Sequence, residues 1–263
     1  MSSRMLQSRR PLPDPAYSIA AVLALLIVWT ALSSSGLLKP GYLPSPQALA
    51  ATAADLVRNG YGGHPLFQHL ASSLFRTLVG FGIGVAAGVP LGLYCGYSRT
   101  ASATLSPIMA FIRPIPPIAF IPMAVLYFGL GEVGKIVLIA FVAFNYAQTN
   151  AQAGASQVPL AYLRAAESLG LSRGQTFFRI VVPAALPQIF TGLKVAIALS
   201  WAVVVAAELV GAQTGLGFMI SDAALLLRIP VVFIGILLIG CVGLAFNLSL
   251  AAAEAKIVHW KGH

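Results

Sequence analysis

The stretch PLAYLRAAESLGLSRGQTFFRIVVPAALP, from Pro159 to Pro187, is polar and basic where the sequence on either side of it is apolar. It is helix-capable up to Leu169. Gly170 then supplies a helix stop, because glycine accepts the left-handed backbone that closes a helix. Ser172 offers a hydroxyl for the start of a second short helix. Pro183 and Pro187 open the next apolar run, where a missing N–H costs little. The expected local structure is a helix–turn–helix lying outside a bilayer, between two segments that cross it.

On either side of this loop the chain is apolar, and a helix needs about 20 apolar residues to cross the hydrocarbon. The first such run is Tyr17 to Gly36, and the second about Leu74 to Tyr97. The third is about Leu105 to Gly129, interrupted by prolines, and the fourth about Lys135 to Ala155. The fifth is about Pro183 to Val210 and the sixth about Ile229 to Ala252. The fold class expected is all-α: a polytopic membrane protein of six transmembrane helices. It divides into a tail (1–16), a first transmembrane helix (17–36) and an outer segment (37–73). A transmembrane core (74–252) holding the loop 159–182, and a tail (253–263), complete the chain.

Composition agrees. Of 263 residues, 58% are hydrophobic and 9% charged. A water-soluble domain carries about 25% charged residues, so this chain could not cover a soluble surface. The net charge of +9 would suggest nucleic acid in a soluble protein, but here the basic residues fall between apolar runs and no nucleic acid partner is expected. Nine of them (Arg4, Arg9, Arg10, Arg99, Arg164, Arg173, Arg179, Lys256, Lys261) lie on the side of the Pro159 loop. Five (Lys39, Arg58, Arg76, Lys135, Arg228) lie on the other, with Arg113 and Lys194 inside spans. The positive-inside rule puts the loop and both termini in the cytoplasm. The first run follows a basic start, yet it is long for a signal peptide and lacks an A-x-A site.

Several patterns need sorting. Gly80, Gly84, Gly88, Gly92 and Gly96 recur every fourth residue of the second span. That makes a flat stripe on which another helix can pack closely, or slide. Gly82-x-Gly84-x-x-Ala87 mimics a dinucleotide fingerprint but lies within a span. Gly129-Leu-Gly-Glu-Val-Gly134-Lys135-Ile136 mimics a phosphate-binding loop, but Ile136 replaces the required hydroxyl. Its glycines and the Glu132/Lys135 charges suit a tight exposed turn. In the outer segment, Ser45-Pro46 reads as the cap of a short helix from Gln47 to Arg58, followed by a loop from Asn59 to Pro65. His64 and His69 stand five apart, poor spacing for ligands on one helix face. Cys95 and Cys241 sit in apolar runs as small hydrophobes. No metal site is expected.

The Pro159 loop resembles that of ABC importer permeases, whose pattern is E-A-A, three residues, G, nine residues, I-x-L-P. Here Arg164-Ala165-Ala166 is followed by three residues, Gly170, nine residues and Ile180-Val181-Val182-Pro183. Arg164 and Val182 depart from the pattern, and arginine at the first position resembles the taurine, aliphatic sulfonate and nitrate branch. Arg113-Pro-Ile-Pro-Pro-Ile-Ala-Phe-Ile-Pro122, Phe128-Gly-Leu-Gly131, Ala206-Ala207-Glu208-Leu209 and Gly215-Leu-Gly-Phe218-Met219 resemble the same branch. The likeness runs from about Gln68 to the end of the sixth span.

The resemblance implies a type I importer permease in the bacterial inner membrane, with a cytoplasmic coupling helix. Tyr162, Arg164, Ala165, Ala166, Glu167, Leu169 and Gly170 would dock this chain on an ATPase subunit. It implies a second copy of the chain, two ATP-binding subunits and an extracytoplasmic solute-binding protein as partners. ATP and magnesium would be held by the ATPase; this chain would bind no cofactor and carry no catalytic group. The solute would be taurine or another alkanesulfonate, with nitrate or another small organic anion as the alternative.

For the path itself, charges in a membrane face a cavity or a partner. Arg113, Asn145, Gln148, Trp201 and Glu208 are the candidates; Lys194, Trp201 and Glu208 are spaced by sevens on one face of the fifth span. The competing expectation is that Arg113, Lys194 and Glu208 snorkel to the interfaces. An ion-coupled transporter would need more embedded carboxylates than Glu208. A purely structural membrane protein leaves the loop spacing unexplained.

Overall fold

The computed structural model describes residues 15–35 and 42–260. Charges counted at Arg4, Arg9, Arg10, Lys39 and Lys261 lie outside the described residues. All six apolar runs fold as helices, and no strand occurs among the described residues.

The first run forms α1, Pro15–Ser34. Its side chains are largely exposed, as suits a helix that meets lipid. The outer segment forms α2, Pro46–Asn59, and the Ser45 hydroxyl accepts from the Ala48 N–H at 3.2 Å, as the Ser-Pro signal requires. The loop after it closes as a turn in which Tyr61 and His64 exchange backbone hydrogen bonds.

The second run is longer than hydropathy suggested. Helix α3 runs Leu66–Tyr97, and at 32 residues it is about 48 Å long at 1.5 Å per residue. It starts eight residues before the expected span at Leu74 because the turn at Tyr61 already hands it a backbone start at Pro65. Arg76, counted with the outer loops, is therefore a buried residue of α3, and the boundary at residue 73 falls inside a helix.

The third run is the main departure. Instead of one span, α4 (Arg99–Ile112) stops, and a single 3₁₀ turn, Pro117–Phe120, leads into α5 (Ile121–Phe128). The two arms are bent by 83° at the break. Pro114, Pro116 and Pro117 remove backbone donors and bias the preceding residues away from helix, so the ladder cannot cross this point.

The remaining spans are α6 (Glu132–Ser156), α9 (Val182–Gly211) and α11 (Ile229–Ile257). Between α6 and α9 lie α7 (Leu160–Ser168), α8 (Arg173–Thr176) and one π-helical turn, Phe177–Val181. Between α9 and α11 lies α10, Leu216–Leu225. Three helical stretches among the described residues are long and apolar enough to cross a membrane alone: α3, Arg173–Gly211 and α11. The bent pair makes a fourth. Helix α6 falls short because Asn145, Gln148, Asn150 and Gln152 interrupt it. Burial between α3 and α9 compensates, with Ile139, Val142, Ala143, Ala147 and Ala151 all fully enclosed.

The glycine stripe explains the α3–α6 contact. A Cβ at Gly80 would lie 2.7 Å from Ile139 Cβ, and one at Gly88 2.7 Å from the Phe144 carbonyl oxygen. Gly84, Gly92 and Gly96 meet the same helix one turn apart. Dispersion between backbones at this separation is what holds helices in lipid, where no hydrophobic drive separates them from their surroundings. Gly84 is thus a packing residue, as its place within a span requires.

Candidate functional site

At one end of the bundle α7 projects from the helices. Its C-terminus closes as the sequence implied. Gly170 has φ +72°, the Leu171 N–H donates to the Ala166 carbonyl at 3.0 Å, and the Gly170 N–H to Glu167 at 2.9 Å. This paired pattern ends a helix with its last carbonyls satisfied. Ser172 then starts α8 through a reciprocal cap: its hydroxyl accepts from the Gln175 N–H, and its own N–H donates to Gln175 Oε1 at 2.9 Å. The loop is anchored by Leu163 and Phe177 in an apolar cluster with Leu93, Ala155, Val181 and Ala185. The Tyr97 hydroxyl donates to the Arg173 carbonyl at 3.3 Å.

This anchoring divides the seven expected docking residues. Tyr162, Arg164, Ala165, Glu167, Leu169 and Gly170 are exposed, with Tyr162 at 56% and Leu169 at 79%. Ala166 is not: at 1% exposure it points into the protein. Its small size lets α7 lie against its own bundle, so it is removed from the outward face.

At the opposite end a buried charge network joins three helices. Arg76 of α3 is 2% exposed and Glu208 of α9 1%. Arg76 Nη1 donates to Glu208 Oε1 at 2.6 Å and to the Thr214 carbonyl at 2.8 Å. Its other nitrogens donate to Glu132, the first residue of α6. Glu208 also accepts from the Ser73 hydroxyl at 2.8 Å and from the Gly217 N–H at 2.9 Å. Lys135 is only 7% exposed; it donates to the Leu130 carbonyl at 2.9 Å and lies 3.7 Å from Glu132. The turn that mimics a phosphate loop therefore spends its lysine on its own backbone and does not expose it.

Next to this network His69 is fully buried. Its Nδ1 lies 3.2 Å from the Gly215 N–H and its Nε2 3.1 Å from the Tyr61 carbonyl. Nε2 can only donate to the Tyr61 carbonyl, while Nδ1 lies 3.2 Å from both the N–H and the carbonyl oxygen of Gly215. Both nitrogens are thus committed to the backbone. The Tyr61 hydroxyl donates to Asp222 Oδ2 at 2.8 Å. Burial first, and this hydrogen bond second, push its pKa up to about 12. Sequence reasoning missed Ser73, His69 and Arg76. The signal was present, since Arg76 and Glu208 are opposite charges near the same ends of two spans, and embedded charges pair.

The five expected path residues are therefore not one surface. Trp201 donates from Nε1 to the Ile239 carbonyl of α11 at 3.0 Å and packs edge-on against Phe246. Glu208 is sealed in the network. Lys194, its side chain 29% exposed, pairs with Glu254 near the C-terminal end of α11. The sevenfold spacing does place these three residues along α9, but a slow drift of about 20° per seven residues aims them at different partners. Gln148 is 1% exposed and joins a ladder through Gln152 to Ser106 of α4, at 3.0 and 2.9 Å. Only Arg113 and Asn145 share a cleft, at the break between α4 and α5.

Comparison with known proteins agrees with this architecture. Residues 88–259 match the family described as binding-protein-dependent transport system inner membrane component. The taurine transport system permease protein TauC of Escherichia coli (strain K12) is 37% identical over 264 residues, spanning 100% of this chain and 96% of that protein. The nitrate import permease protein NrtB of Synechocystis is 36% identical over 249 residues, spanning 93% and 88%. A chain of the inward-facing MetNI methionine ABC transporter superposes with a TM-score of 0.61 at 20% identity, covering 79% of this chain and 98% of that one. At that identity the match concerns the fold. The chain belongs to the binding-protein-dependent transport system inner membrane components, and is a permease subunit of an ABC importer.

Proposed function

We propose that this permease carries a small anionic solute, taurine or another alkanesulfonate, into the cytoplasm, driven by ATP hydrolysed on a separate subunit. The observation that carries the reading is α7: a capped helix seated by Ala166 at one end of the bundle, with Tyr162, Arg164, Ala165, Glu167 and Leu169 facing outward. Exposed Leu169 and Tyr162 have no use in a lone subunit and suit a cleft on an ATPase. Two ATPase subunits, a second copy of this chain and an extracytoplasmic binding protein complete the assembly. ATP and magnesium belong to the ATPase. The α7 end faces the cytoplasm with both termini. Closure of the ATPases would press the two α7 helices together and reorient the spans.

The solute class rests on likeness to a taurine permease along the whole chain. The comparable likeness to a nitrate permease supports a second reading, an inorganic oxyanion. The test is uptake of labelled taurine and nitrate by cells that express the complete transporter, with Ala165→Trp and Leu169→Glu as variants. Both positions are exposed, so the permease should fold while the ATPase no longer co-purifies and uptake falls at least tenfold. Retained uptake in both variants removes α7 from the coupling. Uptake that persists after ATP depletion but follows a proton gradient overturns the importer reading.

A further inference from the structure

The 83° bend between α4 and α5 leaves a cleft against α6. Its lining includes Arg113, Asn145, Tyr146 and Thr149, with Ile115 and Phe141 as apolar wall. All four of these polar groups have hydrogen-bonding capacity unspent. Arg113 takes part in no ion pair among the described residues, unlike Arg76 and Lys194. The Tyr146 hydroxyl has no hydrogen-bond partner among the described residues. Thr149 lacks the bond to the carbonyl four residues back that Thr52, Thr77, Thr104 and Thr191 all make. Asn145 is anchored by one amide hydrogen to the Phe141 carbonyl at 2.8 Å, leaving the other.

No carboxylate lines the cleft. Arg113, exposed at the mouth of a largely apolar cleft, is its charged lining residue, and its planar fork matches the oxygens of an oxyanion. The helix break itself belongs where a water-filled cavity can solvate loose backbone. Ile115 and Phe141 beside the donors would cover a short alkyl chain.

We propose that this cleft is an anion subsite that takes a small alkanesulfonate, with Arg113 on the sulfonate, Tyr146 and Thr149 donating to it, and Ile115 and Phe141 against the alkyl carbons. Its place on the solute route rests on the importer reading above; its binding of anions does not. Arg113 alone supplies the charge, and a passing site must release its ion, so occupancy needs millimolar anion.

The test uses the assembled transporter in native membranes. Ile115→Cys is the reporter, in a Cys241→Ser background because Cys241 is exposed while Cys95 is buried. Its labelling rate is measured with a sulfonatoethyl and a trimethylammonioethyl methanethiosulfonate reagent, and Thr149→Cys serves as a second reporter. The anionic reagent reacts faster, and Arg113→Gln lowers the anionic-to-cationic rate ratio at least tenfold, while Arg113→Lys keeps most of it. Millimolar ethanesulfonate slows labelling more than nitrate does, and only when residue 113 is basic. An unchanged ratio in Arg113→Gln, or reporters that neither reagent reaches, overturns the subsite. Nitrate protecting as well as ethanesulfonate overturns the alkyl contact. Failure of wild-type uptake would overturn the importer reading alone, since the labelling ratio stands without it.

Discussion

At the scale of single residues, the network at the end opposite α7 is where one side chain matters most. Arg76 faces two carboxylates, and their surroundings rank them. Glu208 is sealed, whereas the Glu132 side chain is 51% exposed. Removing a partner from a buried pair strands a charge and costs about 3–5 kcal/mol, while a solvent-exposed partner contributes about 1 kcal/mol or less. Arg76→Ala is therefore expected to lower the thermal unfolding temperature in detergent sharply, and Glu132→Gln only slightly. The double change Arg76→Met with Glu208→Leu should lose less than Arg76→Ala, because it leaves no orphaned ion. A second residue-scale expectation concerns Tyr61. Its neutral form is favoured by folding, so its contribution is complete below the ordinary tyrosine value near 10. It is lost as pH rises from there through about 12. Unfolding temperature measured against pH should show this decline, and Tyr61→Phe should flatten it.

At the scale of elements, α3 and α6 are held by absence of side chains. Gly82 lies on the open side of α3 with nothing within 4 Å of an added Cβ, whereas Gly88 faces the Phe144 carbonyl and Ala147. The same chemical change therefore has opposite outcomes on one helix. Gly82→Ala should be neutral, or stabilising by up to about 1 kcal/mol through helix propensity. Gly88→Ala should force α6 away and cost about 1–3 kcal/mol as overpacking. Thermal unfolding of the two variants side by side tests this. The bend after Ile112 has an equally local origin in three prolines, and it creates a cleft that holds Arg113.

At the scale of the molecule, both ends of the bundle are defined by loops rather than spans. Helices α3, α6 and α9 run from the charge network to the α7 loop, so Asn59 and Ser168 sit at opposite ends. In intact cells a membrane-impermeant thiol reagent should label Asn59→Cys, and Ser168→Cys only after permeabilisation. The reverse pattern would invert the assigned topology. Apolar side chains of α1 and much of α11 remain exposed, the surface that lipid or a second copy would cover.

Membrane integration, the presence of a helix in each apolar run, the Gly170 and Ser172 caps and the spacing of the loop were legible in the sequence alone. Each depends on composition, local period or a backbone preference within a few residues. Which residues share a surface depends on how the helices pack. Hydropathy placed Arg76 in a loop because it weighs charge without partners, and α9 arithmetic grouped Trp201 with Glu208 because it ignores the neighbours each one meets. Ala166 looked equivalent to Ala165 until packing turned one inward. The bend at Arg113–Pro116 was legible as a break, but its angle, and hence the cleft it opens against α6, depends on where a second helix lies.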